Sequence, residues 1–340
     1  RDANGNLVAL ATLSGTVTYS YDALTRLAGG VTPAGNATIA YDLAGNVVQR
    51  ALPDGAIAQY VRDTRDRVTA LTYQAGATTI ASYATEYTAA GRRSRVVEND
   101  GSDTRYTYDA NGRLATEVRT GPGARNASYA YDAVGNRTSM TVGGVTTNYS
   151  YDNDDRLLAA GAATFSYDGA GRRVGRAGPA PATFGYDGAG RLATVASGGT
   201  AAQYGYDADG NRTLQSDAWQ TTRFIVDASN PTGFAQVLEQ RAAGDVTRFD
   251  YLDRVLARSD ASGSHSYVQD GRGDVRALLA GNAVTDTYRY DAWGTTLAGT
   301  GATPNPYRYR SEWLDDDSAL YGLRAREYDS AVGRFLTRDP

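Results

Sequence analysis

The stretch Tyr129-Ala130-Tyr131-Asp132-Ala133-Val134-Gly135-Asn136 is one copy of a pattern that recurs through the chain. Residues two apart on a β-strand point to the same face, so the two tyrosines predict a strand with paired rings on one side. Asp132 can accept hydrogen bonds from turn amides, and Gly135 can adopt a positive φ at little cost. The pattern therefore predicts a strand that ends in a tight turn.

Tyrosine and aspartate pairs of this kind recur along most of the chain, at a usual spacing of about twenty residues. They stand at Tyr21-Asp22, Tyr41-Asp42, Tyr108-Asp109, Tyr131-Asp132, Tyr151-Asp152, Tyr167-Asp168, Tyr186-Asp187, Tyr206-Asp207 and Tyr290-Asp291, with weaker copies at Arg62-Asp63, Tyr87-Thr88, Val226-Asp227 and Gln269-Asp270. An aliphatic residue commonly follows each turn and begins a returning strand, which gives about two strands per repeat. We predict an all-β chain of tandem antiparallel hairpins, in which the repeated tyrosines pack and the aspartates cap turns.

Composition narrows the classes of function. The chain of 340 residues has 25 Tyr and 39 Gly but no Cys, which excludes disulfides, cysteine-based zinc sites and thiol nucleophiles. A net charge of -4 and a pI near 5.2 give no electrostatic footprint for nucleic acid. No apolar run approaches the roughly 20 residues of a membrane span. The chain begins at Arg1 without an initiating Met, so we interpret it as a piece of a longer protein, and we expect no cofactor and no metal site.

The Tyr-x-Tyr-Asp-x-x-Gly-Asn pattern resembles the YD repeat of bacterial Rhs proteins, wall-associated proteins, insecticidal Tc toxin C components and animal teneurins. The part of the chain from about Ser262 also resembles the Rhs-associated core of that family. The matching motifs are Gly271-Arg272-Gly273-Asp274-Val275-Arg276, Tyr288-Arg289-Tyr290-Asp291-Ala292-Trp293-Gly294, Asn305-Pro306-Tyr307-Arg308-Tyr309, Leu323-Arg324-Ala325-Arg326-Glu327-Tyr328-Asp329 and Gly333-Arg334-Phe335-Leu336-Thr337-Arg338-Asp339-Pro340. The resemblance divides the chain into YD repeats over 1–261 and a core segment over 262–340, truncated at its Asp-Pro motif.

Four positions depart from the family pattern. Ser311 and Ala319 stand where a turn Gly is usual, Gly322 replaces a Tyr, and Glu327 replaces the first of two tyrosines. These departures concern local turn geometry and packing.

The resemblance implies a curved sheet that spirals into part of a hollow Rhs shell, with the core segment plugging one end. The implied partner is the protein's own variable C-terminal toxin, enclosed by the shell, and a secretion or delivery apparatus is a further implied partner. The implied location is outside the cell or on the cell surface of a bacterium.

The resemblance also implies two candidate site residues, Asp339 and Arg326. Members of the family cleave themselves with an Asp in this Asp-Pro motif and a second Asp-Pro shortly downstream, and two carboxylates that share a proton can activate water in this way. Because the chain stops at Pro340, we expect no enzyme activity from this fragment, whereas the longer parent is a candidate aspartic autoprotease. Arg326 can either support the carboxylates or brace a turn through its guanidinium.

One alternative function remains open on the residues alone. A tyrosine-rich face suits carbohydrate, so a cell-surface adhesive or carbohydrate-binding protein is the main alternative to a toxin shell.

The single histidine, His265, is predicted to lie in a loop and lacks any nucleophile motif. Finally, Gly210 lies in a Tyr-Asp turn and Gly198 between motifs, so we expect a substitution at Gly198 to cost less stability.

Overall fold

The computed structural model describes residues 1–230 and 232–338, and their regular structure is β-strand except for one 3-10 turn, Tyr309–Ser311. The first strands are β1 Ala9–Thr12, β2 Gly15–Tyr21, β3 Leu27–Thr32, β4 Gly35–Tyr41, β5 Val47–Ala51, β6 Ile57–Arg62, β7 Val68–Ala75, β8 Thr78–Tyr87, β9 Arg93–Glu98, β10 Asp103–Tyr108 and β11 Leu114–Thr120. They are followed by β12 Arg125–Tyr131, β13 Arg137–Val142, β14 Val145–Tyr151, β15 Leu157–Ala160, β16 Ala163–Tyr167, β17 Arg173–Ala177, β18 Ala182–Tyr186, β19 Leu192–Ser197, β20 Thr200–Tyr206, β21 Arg212–Ser216 and β22 Thr221–Asp227. The last strands are β23 Gln236–Ala242, β24 Asp245–Tyr251, β25 Val255–Asp260, β26 Gly263–Gln269, β27 Val275–Ala280, β28 Ala283–Tyr290, β29 Thr296–Thr300, β30 Trp313–Asp315, β31 Leu320–Leu323, β32 Arg326–Asp329 and β33 Arg334–Phe335.

Strands β1 to β29 form one antiparallel sheet, and β30 to β33 form a second, four-stranded sheet within the described residues. In the long sheet each strand pairs with its neighbours in the chain, as β3 does with β2 and β4. This arrangement confirms the prediction of an all-β chain of tandem antiparallel hairpins.

Each Tyr-Asp hairpin carries a register shift at its tyrosine. In β4 and β5, Ala40 lies opposite Gln49 while Tyr41 lies opposite Val47, so one residue of the returning strand is left over. Such a bulge increases local twist and bends the strand. The same shift recurs next to the tyrosine in the other hairpins, for example between Ala130 and Tyr131.

The predicted tyrosine rows are confirmed by the burial pattern. Along β12, Ala127 and Tyr129 are buried and Tyr131 is half-buried, while the intervening residues are exposed. One face of the strand is therefore covered and the other faces solvent, as the spacing of the tyrosines predicts.

The chain divides into two compact units, which are described separately. The first contains Arg1–Ser82, Tyr204–Tyr290 and Thr296–Trp313. Its core is rich in aromatic rings and consists of Leu238, Phe249, Tyr251, Val255, Tyr267, Val275, Leu278, Tyr288 and Tyr307. Tyr307 lies at its centre, with edge-to-face contacts to Phe249 at 5.1 Å and Tyr267 at 6.1 Å between ring centroids.

Polar contacts within the first unit join early hairpins to strands β23 to β26. The hydroxyl of Ser14 donates to Glu239, and Arg50 forms a bidentate pair with Asp253. Further along, the hydroxyl of Tyr73 donates to the carbonyl of Gln269 at 2.9 Å. Strands far apart in sequence are thus held together by polar contacts as well as by the apolar core, and each of these contacts has at least one buried partner.

The second unit contains Tyr83–Gln203, Asp291–Thr295 and Leu314–Pro340. Tyr149, Leu157 and Phe165 form a buried cluster there, against which Met140 and Val332 pack. Strands β31 to β33, at the end of the chain, therefore belong to the same unit as β9 to β19. The predicted boundary between 1–261 and 262–340 stays a prediction.

Three expectations about single positions can be compared with the backbone. Ser311 and Ala319, which replace turn glycines, adopt positive φ values of 55° and 56°. Gly198 has φ 60° and Gly199 φ 85°, since these two residues form the turn that joins Ser197 to Thr200. Gly210 also has a positive φ, 87°, so both glycines need this conformation and the expected contrast between Gly198 and Gly210 loses its basis.

Candidate functional site

The repeated turn is organised by its aspartate, and the turn at Asp109 is typical. Its backbone N–H donates to Arg113 O at 2.9 Å, and the N–H of Gly112 donates back to Asp109 O at 2.9 Å. The carboxylate Oδ1 accepts the backbone N–H groups of Asn111 and Arg113 at 3.0 and 2.8 Å, and Oδ2 accepts Arg113 Nε at 2.7 Å. One carboxylate thus satisfies two backbone donors and a guanidinium.

The tyrosine of most pairs ties its repeat to the previous one. Tyr131 donates its hydroxyl to Leu114 O at 2.9 Å, and Leu114 is the first residue after the Asp109 turn. The Arg113 guanidinium of that same turn lies 4.8 Å from the Tyr131 ring centroid, within cation–π range. The same hydroxyl bond is made by Tyr21, Tyr41, Tyr108, Tyr151, Tyr167, Tyr186 and Tyr251.

The turn contacts lower the pKa of the aspartates. The backbone amide of Arg113 is the main cause for Asp109, and the side chain of Arg67 is the main cause for Asp63. The repeated occurrence of such stabilised carboxylates indicates a structural role, because each carboxylate already accepts hydrogen bonds from the donors of its own turn.

One of the two candidate site residues, Arg326, lies on the terminal hairpin of the second unit, which strands β32 and β33 form. Arg326 begins β32, opposite Leu323, and its guanidinium lies 3.7 Å from the ring centroid of Phe335. Asp339 lies outside the described residues. The structure therefore places Arg326 on the ring of a residue that precedes Asp339 by four positions in the sequence.

The terminal hairpin is anchored by a buried ion pair. Arg173 Nη1 lies 2.8 Å from Asp329 Oδ2, and both residues are almost fully buried, at 0% and 2% exposure. Arg176 lies 3.8 Å from the same carboxylate. Removing Arg173 would leave the buried charge of Asp329 with only the more distant Arg176 to compensate it.

The residues just before Asp339 are fixed through their backbone. Leu336 is buried, its N–H donates to Glu327 O at 3.0 Å, and its carbonyl accepts the N–H of Arg173 at 2.9 Å. Two residues earlier, Arg334 donates to Asn136 Oδ1 and stacks 4.8 Å from the centroid of Tyr151. The segment that leads to the Asp-Pro motif is thus bound to β32 and to β17.

The terminal hairpin packs against residues Asp291–Thr295, a turn of the last YD repeat. We call this turn the Trp293 turn. Tyr328 donates its hydroxyl to Trp293 O at 2.8 Å, and Tyr321 donates to Gly294 O at 3.0 Å. The hydroxyl of Thr295 donates to Ser330 O at 3.0 Å.

The indole of Trp293 faces a buried arginine. The Arg137 guanidinium lies 4.7 Å from the Trp293 ring and 4.4 Å from the Tyr149 ring. Its Nη2 donates to Val332 O at 2.8 Å and to the Tyr149 hydroxyl at 3.0 Å. Arg137 therefore joins the sheet, the Trp293 turn and the terminal hairpin.

A second carboxylate cluster lies beside the Trp293 turn. Arg125 lies 2.5 Å from Glu117 Oε2 and 3.5 Å from Asp291 Oδ2, so one guanidinium serves two buried carboxylates. The Glu117 oxygen also accepts the Tyr129 hydroxyl at 3.2 Å. Burial raises the pKa of both Glu117 and Asp291, and the charge of Asp291 raises the pKa of Glu117 further. Burial also raises the pKa of Tyr129, and the charges of both carboxylates add to that increase.

Other chemistry has little support in the described part of the chain. His265 lies on β26 opposite Arg258 rather than in a loop, and burial followed by the charge of Arg258 lowers its pKa. Over 1–230 and 232–338, no group of three or more His, Asp or Glu side chains is placed to hold a metal ion. In those same ranges, no helix has the length and apolarity needed to cross a membrane.

Residues 57–340 match the family model of the teneurin YD-shell. This chain belongs to the YD-shell family. The match includes the repeats from β6 onward and the whole terminal hairpin, and it confirms the resemblance to Rhs and YD-repeat proteins. A YD-shell fold supports a structural role as a shell or scaffold.

Known relatives of this YD-shell chain are much longer. The tRNA3(Ser)-specific nuclease WapA of Bacillus spizizenii is 29% identical over 226 residues, which is 62% of this chain and 9% of that protein. The solved structure of the Photorhabdus luminescens Tc holotoxin pore superposes with a TM-score of 0.82 at 16% identity, over 100% of this chain and 20% of that one. A crystal structure of TcdB2-TccC3 gives a TM-score of 0.53 at 14% identity, over 96% of this chain and 23% of that one. At these identities the structural matches establish the fold alone.

Sequence reasoning found the turn aspartates but missed two sets of residues. The first is the arginine that closes several of the turns and stacks on the next tyrosine, as Arg113 does on Tyr131. Its signal in the sequence was the Arg or Asn found four residues after the aspartate, as in Arg113 and Asn136. The second is Arg137 and Trp293, which meet only through the fold. No spacing in the sequence marks them as neighbours.

Proposed function

We propose that this YD-shell chain is a segment of a secreted bacterial Rhs-type toxin, in which it forms part of a shell around a C-terminal toxin domain. We further propose that the parent protein releases this cargo by cleaving itself with Asp339 and a second aspartate downstream. The family match and the all-β hairpin repeats support the shell role. The single observation that carries the cleavage proposal is the anchoring of Leu336, three positions before Asp339, through both of its backbone polar groups.

The proposed reaction is hydrolysis of a peptide bond. One carboxylate of the pair takes a proton from water as the oxygen attacks the peptide carbonyl, and the partner carboxyl gives a proton to the departing amine. The C–N bond breaks, and a new carboxyl and a new amine result. Arg326 is proposed to act by holding Phe335, over which its guanidinium lies, rather than by contacting the reacting groups.

We do not favour carbohydrate binding, because the repeated tyrosines lie on the covered face of the sheet. The hydroxyl of Tyr131, for example, is already donated to a backbone carbonyl. The proposed partners are therefore the protein's own toxin domain and an apparatus that delivers it.

The test is intact-mass analysis of the full-length parent. The parent should give two fragments, and Asp339→Asn should give one uncut chain with the same urea midpoint, because an amide of nearly equal size cannot act as a base. Arg326→Lys should slow cleavage, since a lysine lacks the planar group that stacks on Phe335. Cleavage that persists at the parental rate in Asp339→Asn would refute the catalytic role.

A further inference from the structure

We propose that Trp293 and Arg137 are positioning residues for the self-cleavage, because they fix the bend at Gly333 from which the Asp339 segment departs. This inference rests on the proposed function. Neither residue is proposed to contact the scissile bond. Both act by holding the backbone that leads to the Asp-Pro motif.

The first observation is the fit between Gly333 and the indole of Trp293. Gly333 has φ 66°, and a Cβ placed on it would lie 2.9 Å from Trp293 Cε3 and 3.3 Å from Cδ2. A contact of 2.9 Å is shorter than real Cβ atoms show and one of 3.3 Å is tight, so the backbone of Gly333 lies directly against the indole. The Gly of the Gly333-Arg334-Phe335 motif is needed for this contact as well as for its turn.

The second observation is the placement of Arg137. Its side chain is buried, lies between the rings of Trp293 and Tyr149, and leaves Nε and Nη1 without a hydrogen-bond partner in the described structure. Burying such groups costs free energy. Beyond the contacts with the two rings, the guanidinium donates to the Tyr149 hydroxyl at 3.0 Å and to Val332 O at 2.8 Å, and the second bond holds the residue just before Gly333.

The third observation is that little freedom remains between this bend and the end of the described chain. Phe335 pairs with Tyr328, and Leu336 is bonded on both its N–H and its carbonyl. A shift of the bend at Gly333 is therefore passed on to the residues that precede Asp339. A misplacement of about 1 Å at a reacting group can cost roughly a hundredfold in rate.

The experiment uses the full-length parent and measures two quantities, the first-order rate constant of self-cleavage after timed cell-free synthesis and amide hydrogen exchange at Leu336. Exchange is measured in an Asp339→Asn background, so that the chain remains whole. The variants are Trp293→Leu, Trp293→Phe and Gly333→Ala. The matched control is Trp219→Leu, because Trp219 is 88% exposed and lies in the other unit.

Trp293→Leu and Gly333→Ala should each slow cleavage about a hundredfold and speed amide exchange at Leu336 at least about tenfold. Trp293→Phe should retain most of the parental cleavage rate, because an aromatic ring again covers Gly333. Trp219→Leu should change neither quantity. If the role of Trp293 is purely structural, Trp293→Leu should lower the folded fraction but leave the rate constant of the folded chain unchanged, so that Trp293→Phe has no loss of rate to restore.

Parental cleavage rates in Gly333→Ala and Trp293→Phe, together with unchanged exchange at Leu336, would overturn the inference even if Trp293→Leu did not fold. The proposed function fails in a different way. In that case the parent itself remains uncut, while exchange at Leu336 still reports whether the bend is held by Trp293.

Discussion

The turn at Asp187 contains two glycines with different backbone conformations, which allows a test of the turn mechanism within four residues. Gly190 has φ 82°, and a Cβ there would meet only Arg172 Nη1 at 3.7 Å, an ordinary contact. Gly188 is not in the positive-φ region, and a Cβ there would meet nothing within 4 Å. Any difference between Gly190→Ala and Gly188→Ala therefore comes from backbone conformation and not from a clash.

The magnitude follows from two opposing effects. A side chain in the left-handed region costs about 1–2 kcal/mol. Replacing Gly by Ala also restricts the unfolded chain, which favours folding by about 0.4–1 kcal/mol. Gly190→Ala should therefore lose about 1 kcal/mol of unfolding free energy, while Gly188→Ala should lose none and can gain up to about 1 kcal/mol.

Urea denaturation followed by far-ultraviolet circular dichroism measures both variants. With a denaturant slope of about 3 kcal/mol per molar, the two midpoints should differ by roughly 0.5 M, with Gly188→Ala the higher. Equal midpoints at equal slopes would show that the conformation of the fourth turn residue does not limit stability. A lower midpoint for Gly188→Ala would contradict the turn geometry itself.

Two further predictions concern ion pairs. Arg173→Met should lower the unfolding free energy by up to about 3–5 kcal/mol, because the buried Asp329 then keeps only Arg176, 3.8 Å away, as an ionic partner. Arg173→Met/Asp329→Leu should recover much of that loss, and urea midpoints of the two variants check this; equal losses would mean that the pair contributes nothing through its charges. In the folded chain the pKa of Asp168 lies below its ordinary value of 3.8, mainly because its carboxylate accepts the backbone amide of Arg172. The charge of Asp168 therefore stabilises the fold above pH 3.8, and this contribution is lost as the pH falls through the lower pKa of the folded chain. The difference in melting temperature between the parent and Asp168→Asn should therefore shrink below about pH 4, and a difference that stays constant down to pH 2 would contradict the assignment.

The sequence was sufficient to predict the hairpins because its signals are local. Tyr129, Tyr131, Asp132 and Gly135 lie within seven positions, and each acts on its own strand or turn. The repetition of the pattern then removes the ambiguity that a single copy would leave. The excess of tyrosine over phenylalanine, 25 against 6, carried further information, because only tyrosine can donate to the carbonyl of the previous repeat.

The contacts that join distant strands could not be predicted in this way. Arg50, on β5, and Asp253, in the turn between β24 and β25, are 203 positions apart, and each looks like an ordinary charged residue in the sequence. Likewise, Gly333 resembles any turn glycine until the indole of Trp293 is placed against it. Such pairs depend on how many repeats separate them and on the twist added at each bulge, and neither quantity can be obtained from a single motif.

The hydroxyl bond that most of the repeated tyrosines donate to the repeat before them makes the chain modular. A copy of this kind needs one carbonyl from its predecessor and offers one to its successor, so the loss or gain of such a whole repeat leaves the remaining bonds of this kind complete. The insertion or deletion of one residue within a strand has the opposite effect, because it turns the tyrosine to the other face of the sheet. The hydrogen bonds to the preceding and the following repeat are then both lost. Length in such a protein can therefore vary in steps of about one repeat during evolution, while the spacing inside a repeat stays under strong selection.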